Sequence, residues 1–151
     1  MDQNLRELYQ EIILDHSRHP RHFGALADAN HVADGHNPLC GDRVKVYLQV
    51  DADDRIADVS FEGRGCAISV ASASLMTEML KGRSIADAEQ LMSGFLHLVK
   101  GEDAGDLLPD DREQLEVMAG VSAFPMRVKC ATLAWHAMKS ALDNEGVAKT
   151  E

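Results

Sequence analysis

The stretch that decides the fold is residues 43–66, RVKVYLQVDADDRIADVSFEGRGC. In residues 43–51 apolar side chains alternate with mostly polar ones, which predicts a half-buried strand. After an acidic turn, the alternation resumes over residues 57–62. The two runs predict an antiparallel hairpin, and residues 30–37 are a candidate third strand.

Helical patterns surround this hairpin. Apolar residues at helical spacing recur in five segments, at approximately 5–16, 66–82, 85–99, 111–119 and 126–142. Ser84 and Asp87 resemble a capping box. A small antiparallel sheet followed by a run of helices is typical of an α+β domain. We therefore predict an α+β fold, with a three-stranded antiparallel sheet and helices packed on one face, in a single domain spanning residues 1–151.

Composition limits the classes of partner. The chain has 151 residues, 45% of them hydrophobic, and its 15 basic and 25 acidic residues give a net charge of −10. Nucleic acids and anionic membranes both bind cationic surfaces, so neither is expected as a partner. No apolar run is long enough to span a membrane, and the first residues lack the pattern of a signal peptide. We expect a cytoplasmic protein.

The three cysteines each lie near the end of a predicted element. Cys40 precedes the first strand of the hairpin, Cys66 lies where strand passes into helix, and Cys130 is near the start of the last helix. Backbone N–H groups and the helix dipole at such positions stabilise a thiolate. The alternative is three small buried hydrophobes, but a core cysteine needs no such position. An odd number of widely spaced cysteines is also a poor disulfide framework.

Three thiolates and a carboxylate make a plausible tetrahedral zinc set. Asp42, two residues after Cys40, is the best candidate for the fourth ligand. Such a set keeps a net negative charge after zinc binds, and Arg64, Arg127 and Lys129 lie beside the ligands where they could offset it. The alternative for each cation is an ordinary solvated surface charge. No C-x-x-C pair is present, so spacing alone is a weak indication of metal.

Two other patterns are weaker. His16, His19 and His22 recur at intervals of three, but Pro20 interrupts the helix between the second and the third. A surface cluster or a partner contact is therefore favoured over a metal site. Residues 66–69 (CAIS) match a thiol-redox C-x-x-S motif, but the βαβ context that such a motif requires is missing.

Five stretches carry a family resemblance: 9–16 (YQEIILDH), 20–21 (PR), 37–43 (NPLCGDR), 61–69 (FEGRGCAIS) and 124–135 (FPMRVKCATLAW). They resemble the IscU/NifU-like iron–sulfur cluster assembly proteins, and most closely the SufU-type members. The cluster-scaffold branch usually has histidine where this chain has Lys129. Residues 101–122 look like an extra segment that SufU-type members carry before the last cysteine.

The resemblance implies a SufE/IscU-like fold and a zinc site formed by Cys40, Asp42, Cys66 and Cys130. It also implies that a pyridoxal-phosphate cysteine desulfurase of the SufS type passes sulfur to Cys40. Downstream iron–sulfur assembly proteins are the expected further partners. A thiolate bound to zinc is deprotonated yet restrained, and zinc itself does no redox chemistry, so the chemistry suits this role.

Three functions fit these residues. A zinc-dependent sulfurtransferase that activates a desulfurase is the leading hypothesis, because Lys129 and the extra segment favour it. A scaffold for a transient iron–sulfur cluster, with iron binding, would use the same ligands. The third is an adaptor whose zinc only staples the fold. Asp42 argues against that reading, since purely structural sites prefer closed sets of cysteine and histidine.

Overall fold

A computed structural model describes residues 3–38, 41–145 and, for the backbone, 147–149. Its helices and strands follow in the order α1 (Gln3–Arg18), β1 (His31–Asn37), β2 (Asp42–Val50), β3 (Ile56–Arg64), α2 (Ala67–Leu80), α3 (Ile85–Val99), α4 (Pro109–Glu116), α5 (Pro125–Leu142) and β4 (Val147–Lys149). A short 3₁₀ helix, Ala119–Ala123, precedes α5. The predicted α+β class is confirmed.

The strands form one sheet in the order β3-β2-β1-β4. β1, β2 and β3 are antiparallel neighbours, which confirms the predicted three-stranded antiparallel sheet. β4 adds a strand that the sequence did not predict, running parallel to β1 opposite residues 34–36. Its pattern was missed because an alternation over so few residues cannot be recognised.

Successive side chains of a strand point to opposite faces of the sheet. Helices cover one of these faces, and the other face is open. Val44, Val46 and Leu48 of β2 are buried on the face that α2 and α5 cover. Arg43 and Lys45 alternate with them and lie on the open face. The helices therefore pack on one face, as predicted.

The core is centred on α5. Trp135 of α5 stacks on Phe95 of α3 with ring centroids 4.8 Å apart, and both side chains are fully buried. Met76 of α2 and Leu48 of β2 belong to the same core. Burying a large apolar side chain stabilises a fold by roughly 1.5–3 kcal/mol relative to leaving it exposed. Contacts on several sides thus fix the position of α5.

The predicted helix starts are close to those observed. Ser84 caps α3, since its side chain accepts a hydrogen bond from the Asp87 N–H at 3.1 Å. The helix expected around residues 111–119 begins instead at Pro109 and ends at Glu116. Proline favours the first helical position because it has no N–H to lose there, which explains the earlier start.

The segment between α3 and α5 is fastened to the body at two points. The Arg83 guanidinium donates two hydrogen bonds to the Asp111 carboxylate, at 3.0 and 2.7 Å. The side chain of Leu107 lies against Gly94 of α3, where a Cβ atom would approach Leu107 Cδ1 to 2.4 Å. The segment therefore has a defined position on the fold.

Helix α1 contacts the body through its C-terminal end. The His16 ring is buried, with Nδ1 2.8 Å from the hydroxyl oxygen of Ser74 on α2, and that oxygen also accepts a hydrogen bond from the Arg21 N–H. The ring of His22 is similarly 3.1 Å from the hydroxyl of Thr77. The expected surface cluster is therefore wrong for His16.

Among the described residues, no helix is long and apolar enough to cross a membrane.

Candidate metal centre

Three of the four predicted ligands meet at one end of the sheet. Asp42 is the first residue of β2, Cys66 immediately precedes α2, and Cys130 lies in α5. One carboxylate oxygen and the two sulfur atoms all lie within 4.8 Å of one another. The antiparallel pairing of β2 with β3 places Asp42 near the chain that leaves β3, and α5 supplies the third group.

Asp42 is held by the residue it faces. Its side chain is only 2% exposed, and Oδ1 accepts a hydrogen bond of 3.1 Å from the backbone N–H of Cys66. The thiol of Cys66 contacts Oδ2 at 3.7 Å. A buried carboxylate requires such partners, because an unpaired charge in the interior is costly. The carboxylate is thereby oriented toward the sulfur atoms.

Gly65 makes room for that carboxylate. A Cβ atom at this position would lie 2.4 Å from Asp42 Oδ1 and 2.7 Å from Asp42 Cγ. Heavy atoms cannot approach this closely without a shift, so any larger residue displaces the carboxylate or the backbone. The structure assigns Gly65 a specific steric role.

Cys66 occupies the N-cap position of α2. Its sulfur accepts a hydrogen bond from the Ser69 N–H at 3.4 Å, and its side chain is exposed. The first N–H groups of a helix have no partner within the helix, so a side chain at this position can satisfy one of them. The predicted position at a strand-to-helix junction is confirmed.

Cys130 differs from that expectation. It is the sixth residue of α5, which begins at Pro125, and its side chain is only 5% exposed. Free N–H groups occur only in the first turn of a helix. The sulfur of Cys130 is therefore placed by the packing of α5 rather than by a cap at the helix start. The neighbouring Ala131 and Ala134 are buried in the core.

Cys40, the remaining predicted ligand, lies outside the described residues. The described ends of its loop lie next to the cluster, since Asn37 of β1 pairs with Asp42 of β2. Gly41 has a φ of +76°, a backbone conformation that glycine adopts without strain, and its N–H donates to the Asn37 carbonyl at 2.9 Å. The role of Cys40 stays a prediction.

The three predicted cations have no acidic partner in the part of the chain that the structure describes. Arg64 is exposed at the end of β3, and Lys129 is half-buried beside Cys130. The Arg127 guanidinium lies over the Phe124 ring, 4.5 Å from its centroid. Within residues 3–38 and 41–145, none of the three forms an ion pair.

The cluster opens onto an apolar cleft of about 550 Å³ that Cys66 and Cys130 help to line. Ile13 of α1, Ile68 of α2 and Met126 of α5 form part of its walls. A second molecule therefore has a route to the sulfur of Cys66, whereas the Asp42 carboxylate lies deeper.

The donor set fits zinc. Thiolate and carboxylate are both ordinary zinc ligands, and bonds of about 2.0–2.3 Å place them within about 4 Å of one another in a tetrahedral site. The limit of 4.8 Å between the Asp42, Cys66 and Cys130 donor atoms is close to that geometry. Small side-chain rotations would complete it, and Cys40 remains the predicted fourth ligand.

The chain belongs to the family of the NifU-like N-terminal domain, whose model matches residues 8–146. It is 43% identical over 148 residues to a protein of Bacillus subtilis named zinc-dependent sulfurtransferase SufU, covering 98% of this chain and 95% of that protein. It is 40% identical over 140 residues to the iron–sulfur cluster assembly scaffold protein IscU of Streptococcus pyogenes, covering 91% of this chain and 84% of that protein.

A solved structure agrees with this assignment. The crystal structure of FiSufU from Fervidobacterium islandicum, described as a scaffold candidate for the SUF system, superposes with a TM-score of 0.80. The sequence identity is 33%, and the match covers 93% of this chain and 99% of that one. The resemblance to SufU-type and IscU-type members and the expected fold are therefore confirmed.

Proposed function

We propose that this protein acts in iron–sulfur cluster assembly as a zinc-dependent sulfurtransferase, with Cys40, Asp42, Cys66 and Cys130 as the zinc ligands. The observation that carries the proposal is the meeting of a buried carboxylate and two cysteine sulfurs within 4.8 Å at one end of the sheet. Similarity to a zinc-dependent sulfurtransferase over 98% of the chain supports the same function. Residues 1–151 act as one domain in this proposal.

Zinc, when bound, would keep the cysteines deprotonated and shielded from oxidation without doing redox chemistry itself. The chain's own residues then determine reactivity. Asp42 is the hardest and least thiophilic donor, and its Oδ1 accepts a hydrogen bond from the Cys66 N–H. It is therefore the suitable group to exchange when a partner docks. Arg127 and Lys129 lie near the ligands, where they would offset negative charge or contact that partner, and the exposed Arg64 would contact the partner.

Sulfur transfer needs no external oxidant or reductant. The thiolate of Cys40 attacks the terminal sulfur of a cysteine persulfide on the donor. A new sulfur–sulfur bond forms on Cys40, the bond in the donor breaks, and the donor cysteine leaves as a thiolate. The donor is a pyridoxal-phosphate cysteine desulfurase of the SufS type, and downstream assembly proteins in the cytoplasm accept the sulfur.

Assembly of an iron–sulfur cluster on the same ligands is the second candidate. Similarity to IscU scaffold proteins supports it, and the exposed sulfur of Cys66 is accessible to iron. Lys129 in place of the histidine usual in scaffolds favours the sulfurtransferase. A zinc that only staples the fold is the weakest alternative, because purely structural sites prefer closed sets of cysteine and histidine and this set would include the Asp42 carboxylate.

The deciding experiment combines metal analysis with desulfurase turnover. We expect one zinc per chain, a strong stimulation of cysteine desulfurase activity, and persulfide mainly on Cys40 by mass spectrometry. Cys40→Ser should abolish transfer. Asp42→Ala should lose zinc and stimulation while the fold survives, whereas Asp34→Ala, an exposed acid on the open face of β1, should change neither.

Three results would refute the proposal. The first is a protein that contains no zinc and melts identically after chelation. The second is full desulfurase stimulation by Asp42→Ala, and the third is persulfide chiefly on Cys66 or Cys130 with Cys40→Ser still active. Reconstitution of a stable cluster together with no stimulation would support the scaffold instead.

A further inference from the structure

A row of cationic residues lies on the open face of the sheet, at the end next to the metal centre. Arg43 of β2 is directly opposite Arg64 of β3 on one side and His36 of β1 on the other. Directly opposite residues share a face, with Cβ atoms about 4.5–5.5 Å apart. We call His36, Arg43 and Arg64 the cation row.

The two arginines of the cation row are not compensated. Both are exposed, and neither forms an ion pair or a side-chain hydrogen bond within the described ranges 3–38 and 41–145. Like charges directly opposite each other destabilise a sheet. Within the described residues, no carboxylate lies within ion-pairing distance of either guanidinium.

The next row along the same face is different. Lys45 lies directly across from Glu62 on β3 and Asp34 on β1, so its positive charge has a negative neighbour on each side. Glu62 also accepts a hydrogen bond from the Tyr47 hydroxyl, which raises the pKa of Tyr47 to about 12. Of these two rows on the open face, only the one beside the site has basic residues without directly opposite acids.

Overall composition does not explain the row, because the chain has a net charge of −10. Seven of its acidic residues lie instead within residues 102–116, in the segment that precedes α5. The two arginines of the row therefore give this acidic chain a local positive surface, which would attract an acidic partner and speed their association.

The cation row adjoins the ligands. Arg43 directly follows Asp42, and Arg64 precedes Cys66 by two residues, so its Cα lies at most about 7 Å from that of Cys66. A group bound by the arginines would therefore reach the rim of the metal centre. Guanidinium groups bind carboxylates in a bidentate manner, which gives such a contact geometric specificity.

We infer that the cation row is a docking surface for an acidic segment of the protein that donates sulfur to this site. The inference rests on the proposed function. Arg43 and Arg64 bind carboxylates at the rim of the donor's sulfur-bearing cleft, which brings the donor persulfide to the metal centre. The net charge of −10 disfavours a nucleic acid as the occupant.

The test is a kinetic titration with a cysteine desulfurase of the SufS type. For the double variant Arg43→Gln/Arg64→Gln, the concentration of this chain that half-saturates desulfurase stimulation should rise about tenfold at low salt. The maximal stimulation should stay unchanged. The half-saturating concentration should depend less on salt between about 50 and about 300 mM. The variant makes fewer charge contacts that salt can screen.

A matched control removes the same charge elsewhere. Arg18 at the end of α1 and Arg55 before β3 are both exposed and distant in sequence from the ligands. Arg18→Gln/Arg55→Gln should keep half-saturation within about twofold of the native chain, since only net charge changes. Zinc content and melting temperature should not fall in either double variant.

The outcomes separate this inference from the proposed function. Native half-saturation and salt dependence in Arg43→Gln/Arg64→Gln, with the native chain stimulating normally, would overturn the docking surface alone. Equal effects of both double variants would replace it with a general effect of net charge. Loss of zinc or of maximal stimulation in the first variant would assign the arginines to the metal centre instead. Failure of the native chain to stimulate would overturn the proposed function itself.

Discussion

The two described sulfur atoms of the site belong to helices that hold them in different ways. Cys66 caps α2 and is exposed, and its sulfur accepts a hydrogen bond from the Ser69 N–H. Cys130 lies inside α5 and is buried, and its position follows from the packing of α5 on the sheet and on α3. One half of the site is thus built by local chain geometry and the other by the core. A change in the local half should affect metal binding first, whereas a change in the buried half should also affect stability.

The largest difference in the free energy of unfolding is expected between serine substitutions at Cys130 and at Cys66. In protein freed of metal by a chelator, Cys130→Ser should lower the free energy of unfolding by about 1–3 kcal/mol, because it buries a hydroxyl in place of sulfur. Cys66→Ser should change it by less than about 0.5 kcal/mol, since serine is a favoured N-cap residue. Urea denaturation monitored by circular dichroism measures both. Equal losses would contradict the division between local and core support.

Gly65 tests the local half without removing a ligand. Gly65→Ala should weaken zinc binding about tenfold or more, equivalent to about 1.4 kcal/mol, because the new Cβ displaces the Asp42 carboxylate. Competition with a chromogenic chelator measures the affinity, and cobalt absorption bands would report the altered ligand geometry. Gly120→Ala is the control, since a Cβ there meets nothing within 4 Å. Unchanged affinity and bands would remove the steric role.

The cap at Cys66 should make a smaller, separable contribution. Without metal, Cys66→Ala should be less stable than Cys66→Ser by about 0.5–1 kcal/mol, because alanine leaves the Ser69 N–H without its side-chain acceptor. The same urea titration compares the two variants directly. If they unfold at the same denaturant concentration, the sulfur contributes nothing to the start of α2.

Sequence reasoning recovered the features that depend on local pattern. The alternation in residues 43–51 and the helical spacing after Cys66 gave the strands, the helix and the position of that cysteine at their junction. It could not show that a missing Cβ at Gly65 accommodates Asp42, because this contact joins residues that are remote in sequence. Nor could it place Cys130 within the core, since that follows from how α5 packs.

The histidines illustrate the same limit. The interruption at Pro20 favoured a surface cluster or a partner contact, but His16 is buried because α1 docks on α2 and brings Ser74 to the ring. Likewise the register that sets Arg43 opposite Arg64 depends on strand pairing, which the alternation alone does not specify. In each case the decisive neighbour is remote in sequence.

The smallest expected effect is a pH dependence of stability shared by the two helical regions. Burial lowers the pKa of His16 against α2 and that of His136 on α5, with nearby Arg21 and Lys100 lowering them further. The two histidines therefore bind protons more readily in the unfolded chain than in the folded one. Their protonation costs no stability above about pH 6.5, and the free energy of unfolding declines as the pH falls below that value.

We expect His16→Gln and His136→Gln each to reduce the decline in stability of metal-free protein between about pH 7 and about pH 5 by less than about 1 kcal/mol. Urea titrations at several pH values measure it. The exposed His19 provides the control, because His19→Gln should leave the decline unchanged. A decline as steep in both variants as in the native chain would show that other groups cause it.

The contact between Gly94 and Leu107 has a consequence for how relatives of this chain diverge. A Cβ at position 94 would lie 2.4 Å from Leu107 Cδ1, so a larger residue there requires the Leu107 side chain to shift or to be replaced by a smaller one. A relative that lacks residues 101–122 has no side chain to accommodate and is free to carry a larger residue on α3. Glycine at position 94 should therefore be inherited together with the extra segment, and it would mark that segment's presence in a lineage even where its sequence has drifted.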